Sequence, residues 1–187
     1  AKAGESTVAE EKRQYSIIHS KVHANLMLTQ MSIREGLRFE TAIESDTANL
    51  NHTVLKLIQE FGKDIKFLRD PTRGGVASVL NEIAELTQLS FYLEQNLIPV
   101  NDAVEGACEM LGLDPLYVAN EGLFLAVVKK EIAQSFLTSL KADENGTHAA
   151  IIGEVTHTNP GKVIMKSRVG GKRIVTYLTG EQLPRIC

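Results

Sequence analysis

No apolar run in this 187-residue chain approaches the roughly 18 residues needed to cross a bilayer, and no basic-then-apolar leader opens it. Membrane insertion and secretion are therefore not expected. Cysteine is scarce: Cys108 and Cys187 are the two in the chain, too few for a disulfide framework, which points to a reducing cytoplasm. A charge excess is lacking too. A net charge of −3 argues against a general nucleic-acid or membrane-surface role. Neither the P-loop pattern nor G-x-G-x-x-G occurs, and no repeat or low-complexity segment stands out, so both standard nucleotide fingerprints are missing.

What remains is an ordinary globular composition, 43% hydrophobic and 23% charged. The first 15 residues are polar without a sustained apolar period. From Ile17 to Met31 apolar residues return at helical spacing, which would place His19 and His23 on one helix face. No third ligand accompanies them, so no metal is expected. Residues 1–31 read as a leader segment outside a domain of residues 32–180, and residues 181–187 as a mobile tail.

Within that domain the pattern predicts a helix from Asn49 to Phe61 behind capping residues at 44–47, ended by Gly62. A strand from Asp64 to Leu68 follows, then a helix from Val76 to Thr87 and a strand from Leu89 to Leu93. Asn101-Asp102 starts a helix to Leu111. Leu123 to Val128 reads as a buried strand, followed by a helix from Lys130 to Lys141 and a turn at Asn145-Gly146. Strands at 149–155, 162–166 and 172–178 close the chain, the last two joined at Gly170-Gly171. Such interleaving without a regular βαβ rhythm favours an α+β or layered α/β fold on a mixed sheet.

Three segments carry possible chemistry. Cys187 ends the chain behind Pro184 and Arg185; a nearby cation favours thiolate, and a free terminus suits a swinging carrier as well as an ordinary frayed cysteine. Arg69-Asp70-Pro71-Thr72-Arg73-Gly74-Gly75 lies between a strand and a helix. Free N–H groups, the helix dipole and two arginines there could hold an anion, or the segment could be a capped helix entrance with solvated arginines. In Asn120-Glu121-Gly122, before the buried strand, a partly desolvated Glu121 would suit proton transfer, and an exposed loop glutamate is the plainer reading. Lys166, Arg168, Lys172 and Arg173 around Gly170-Gly171 read as a solvated basic hairpin. Cys108, on a helix, reads as a small buried hydrophobe.

RDPTRGG (69–75), VASVLNEIAE (76–85), IPV (98–100), GACEMLGLDPLYVANEG (106–122), AAIIGEV (149–155) and the terminal EQLPRIC (181–187), in this order, resemble the C-terminal domain of the HypE family of hydrogenase maturation factors. That family belongs to the aminoimidazole ribonucleotide (AIR) synthetase-like superfamily. The resemblance runs from about residue 32 to 187 and implies a three-layer α/β/α unit with a mixed sheet. It implies that Cys187 receives a carbamoyl group from a carbamoyltransferase partner. An ATP-dependent dehydration then leaves a thiocyanate, and the cyano group passes to iron on a scaffold maturation complex for the nickel-iron hydrogenase. By the same resemblance Glu121 is the candidate proton acceptor. Arg69, Asp70, Thr72, Arg73, Gly74, Gly75 and Asn120 are candidates for holding tail or phosphate. ATP with magnesium would be bound mainly by an N-terminal domain that this sequence does not contain, so the isolated chain is expected to be catalytically incomplete; a homodimer is a further expectation. A carbamoyl carrier without its own catalysis, or another ATP-dependent superfamily member such as a selenophosphate synthetase, are the competing readings.

Overall fold

The computed structural model describes residues 15–20 and 48–177. Its strands are β1 (Tyr15–His19), β2 (Ile65–Arg69), β3 (Ser90–Glu94), β4 (Leu125–Lys129), β5 (Ala150–Thr156), β6 (Val163–Lys166) and β7 (Lys172–Val175). Its helices are α1 (Asn51–Phe61), α2 (Gly75–Thr87), α3 (Asp102–Leu111) and α4 (Ala133–Lys141).

Ile17 and Ile18 explain the architecture. Neighbours on a strand point to opposite faces, and here both faces are covered. Ile17 packs with Leu125 and Val127 of β4, Phe91 and Leu93 of β3, and Val76, Leu80 and Ala84 of α2. Ile18 packs with Phe124, Ala126 and Val128, with Leu57 of α1, and with Phe136 and Leu140 of α4. A strand apolar on both sides belongs in the middle of a covered sheet. β1 accordingly lies between β4 and β5 in a seven-stranded sheet ordered β2-β4-β1-β5-β3-β6-β7. Every pairing is antiparallel except β3 with β6. The result is a mixed sheet between α2 on one face and α1 with α4 on the other, the three-layer arrangement expected.

The placement of β1 corrects the sequence reading. Residues 15–19 are not part of a leader or a helix; they are the central strand, with Ile17 opposite Val127 on one side and Gly153 on the other. A short apolar run fits either period, and pairing with β4 and β5 decides for the strand. His19 and His23 therefore do not share a helix face, and His23 lies outside the described residues, as do the capping residues 44–47 and the tail 181–187.

Elsewhere the expected elements stand within a few residues. Gly62 caps α1 with φ 37°, Asn101 caps α3 by accepting from the Ala103 N–H at 2.9 Å, and the helix expected from Lys130 begins as a single 3-10 turn. The basic hairpin is not simply solvated. Lys166 pairs with Glu94 at 3.2 Å, Arg168 with Glu105 at 2.6 Å and Arg173 with Asp114, while Lys172 sits 5.3 Å from the Tyr92 ring centre. These half-exposed pairs contribute little stability each, up to about 1 kcal/mol, but they fix the β6–β7 hairpin against α3 and the loop that follows it.

Candidate functional site

The two motif loops, 45 or more residues apart in sequence, meet in space. The Asn120 N–H donates to the Pro71 carbonyl at 3.0 Å, joining the Asn120-Glu121-Gly122 turn to the Arg69–Gly75 segment. The second tie is steric. A Cβ on Gly75 would lie 2.4 Å from the Leu116 carbonyl oxygen and 2.8 Å from that of Val118, so the start of α2 is seated directly on the backbone that leads into Asn120. Hydrogen-bonding groups of Ser20, at the exit of β1, complete the junction: its N–H donates to the Phe124 carbonyl at 3.1 Å and its Oγ accepts from the Phe124 N–H at 2.8 Å.

Gly74 and Gly75 both have positive φ, 66° and 63°, and among the described residues no side chain caps the first turn of α2. The helix N-terminus therefore presents N–H groups and the positive end of its dipole without a resident acceptor from a capping side chain. Arg73 is exposed beside it and forms no ion pair among the described residues. Arg69 is differently placed. It is engaged with Glu82 of α2 in an ion pair, a partner the sequence reading did not anticipate although Glu82 stands in the helix that the motif opens. Asp70 is exposed, Thr72 half-buried and Pro71 buried.

Asn120 is buried, and its Oδ1 accepts from the Gly122 N–H at 3.2 Å. This Asx turn faces Asn120 inward and leaves the residue between outward. Glu121 is accordingly exposed, and the desolvation expected of it is not found. Cys108 is buried in α3, and burial pushes its thiol up to about 11, so it is a core residue and not a nucleophile. Cys187 lies outside the described residues. Among the described residues no cluster of three or more His, Cys, Asp or Glu side chains could hold a metal ion. The N-terminus of α2 with Arg73 fits a phosphate group, and this part of the chain offers no ready-made set of magnesium ligands.

The sequence reading missed His19 as a feature of this region. It is 4% exposed at the end of β1, its Nδ1 is buried and has no hydrogen-bond partner among the described residues, and burial lowers its pKa from 6.5 to about 4. A histidine whose folded pKa is depressed takes up its proton more readily when unfolded. Stability is thus fully present above about pH 6.5, falls as pH drops toward 4, and changes no further from this group below 4. The expected loss across that window is up to about 3 kcal/mol. Urea unfolding at a series of pH values should show it, and His19→Phe should flatten it; an equally steep profile in the variant would assign the loss elsewhere.

Residues 16–166 match the family model for the AIR synthase related protein, C-terminal domain, which takes in β1 as the sheet does. The chain is 50% identical over 157 residues to the carbamoyl dehydratase HypE of Bradyrhizobium diazoefficiens, covering 84% of this chain and 45% of that protein. A crystal structure of the hydrogenase maturation protein HypE in complex with ATP superposes with a TM-score of 0.85 at 42% identity, covering 94% of this chain and 53% of the other. That of a HypE–HypF complex gives 0.82 at 39% identity, covering 89% and 54%. The chain spans about half the length of the curated relatives it matches. No helix among the described residues is long and apolar enough to cross a membrane. The sheet order, the paired motif loops and the match over residues 16–166 lead to one conclusion: the chain belongs to the AIR synthase-related family by its C-terminal domain, in the form found in HypE carbamoyl dehydratases.

Proposed function

We propose that this chain serves in hydrogenase maturation as the tail-bearing half of a carbamoyl dehydratase, in the cytoplasm. The observation that carries the reading is the Asn120–Pro71 hydrogen bond, which sets a carboxylate-bearing turn beside an uncapped helix N-terminus. Cys187 carries the carbamoyl group as an S-thiocarbamate, S–C(=O)–NH2. An amide oxygen is a poor leaving group, and ATP with magnesium would supply its activation: the γ-phosphoryl group passes to that oxygen, ADP leaves, and the carbamoyl nitrogen gives up its first proton. Arg73 and the first-turn N–H groups of α2 hold the anionic phosphate. Glu121 accepts the second proton from that nitrogen as the C–O bond breaks and phosphate leaves, forming the C≡N bond of the thiocyanate. Its exposure suits a base that meets a substrate delivered from outside the domain, by the tail on one side and the remainder of the ATP site on the other.

That remainder is assigned to a further domain, in keeping with relatives about twice the length. A carbamoyltransferase loads the thiol, as a HypE–HypF complex suggests, and an iron-carrying scaffold complex takes the cyano group. Homodimerisation would also follow from the HypE reading. Arg69, held by Glu82, positions the loop and does not clamp the anion.

Glu121→Gln should leave carbamoylation of Cys187 intact and reduce dehydration by about 100-fold or more, read as thiocyanate yield by intact mass in the presence of the complementary ATP-binding domain. Normal thiocyanate yield in that variant would remove Glu121 from the reaction. A parallel fall in carbamoylation would make the residue structural.

A further inference from the structure

The strand that leads to the C-terminus is weakly held by its own burial. β7 stands at an edge of the sheet; its Val175 is buried, while Lys172, Arg173 and Ile174 are exposed. Side chains tie both of its ends to other elements. Near its start Arg173 pairs with Asp114. Just beyond its end the Tyr177 hydroxyl donates to Glu85 Oε2 of α2 at 3.1 Å. Partial burial, that bond and the charges of Glu85 and Glu82 hold the hydroxyl above its usual pKa, so it remains a donor at neutral pH. Glu82, three residues back on α2, is the residue that pairs with Arg69 at the head of the motif loop. Residues three apart on a helix are neighbours on its surface. One turn of α2 thus holds both the motif loop and the exit of the chain from the sheet.

Tyr177 is followed by the ten residues 178–187, the last of them Cys187. Along α2, Glu85 stands ten residues from Gly75, about 15 Å at 1.5 Å per residue. A flexible chain of ten residues has an r.m.s. end-to-end distance of about 17 Å, and local concentration at a target is greatest when that length matches the span. Length by itself matters little, because two more free residues would extend the average by about a tenth. The origin matters more. Released from Glu85, the exit could move away by about 7 Å, the reach of the two residues beyond Val175, and the chain end would then visit the start of α2 about threefold less often. We propose that Tyr177 is a positioning residue: its bond to Glu85 fixes the origin of the terminal segment at the distance from which Cys187 most often meets the motif loops. This rests on Cys187 being the carrier, as proposed above, and adds what sets its range.

A nitroxide on Cys187 of the full chain tests it without ATP or a carbamoyl donor; Cys108 stays unlabelled because it is buried and its thiol is pushed up to about 11. Paramagnetic broadening of the backbone amides of residues 72–76 should be present in the unaltered chain. It should fall about threefold in Tyr177→Phe and in Glu85→Ala, with no further fall in the double variant. Arg173→Ala, which removes the tie at the other end of the same strand, should leave the broadening unchanged. Melting temperatures establish that each variant is folded. Unreduced broadening in folded Tyr177→Phe or Glu85→Ala would overturn the proposal. So would an equal loss in Arg173→Ala, which would make the effect a general loosening of β7, or absence of broadening in the unaltered chain. Failure of the dehydratase reading shows separately, as absent thiocyanate with the broadening pattern intact.

Discussion

Cys187→Ser is expected to abolish the chain's contribution to hydrogenase assembly, a loss of about a thousandfold or more in the yield of loaded carrier. A thiol forms a useful fraction of thiolate near neutral pH, more so with Arg185 two residues away, whereas a serine hydroxyl without an adjacent base is a weak nucleophile. The substitution exchanges one sulfur for one oxygen, and urea unfolding of the two proteins side by side checks that the fold is kept. Cys108→Ala supplies the contrast. That thiol is 1% exposed, and burial moves it up to about 11, so its removal should leave loading untouched. Hydrogenase activity in cells whose own maturation gene has been replaced reads both variants, and retained activity in Cys187→Ser would end the proposal.

Gly75→Ala should be the most damaging single methyl in the domain's site. At φ 63° an L residue is strained by roughly 1–2 kcal/mol. The added Cβ also meets three backbone atoms, those of Leu116, Tyr117 and Val118, at 2.4 to 2.8 Å, none of which can rotate away. The combined cost should reach about 3 kcal/mol or more, and relief requires α2 to lift from the 116–118 backbone, which would pull Pro71 from Asn120. Gly112 provides the control, because it has nearly the same φ, 65°, and nothing within 4 Å of an added Cβ. Gly112→Ala should therefore show the strain alone. Equal destabilisation of the two variants in urea unfolding would mean that the contact at Gly75 does not hold the loops together.

Much of this was legible because the helices and strands after residue 48 have strong local signals. Gly62 stops α1, Asn101 starts α3, and Leu123–Val128 is too apolar on both sides to be anything but interior. The motif segments also lay where expected, at the start of α2 and before β4. What local signals did not reveal was long-range. Nothing around Ile17 and Ile18 says that they insert between β4 and β5, because the residues that make them central lie more than 100 positions away. Glu82 could be suspected as a partner for Arg69 from its place in the helix that the motif opens. The inward turn of Asn120, which sends Glu121 out, follows from an Asx turn that a short Asn-Glu-Gly sequence allows but does not compel. The burial of His19 likewise exists only once β1 has been inserted into the sheet.

The central claim is that the paired loops act on a group carried by Cys187. Intact-mass analysis tests it most directly, with the chain exposed to a carbamoyltransferase and its carbamoyl donor, and then to ATP with the complementary domain. The account predicts gain of one carbamoyl group, located at Cys187, followed by loss of one water in the unaltered chain and by no such loss in Glu121→Gln. A carbamoyl group located elsewhere, or water loss that proceeds equally in both, would contradict it.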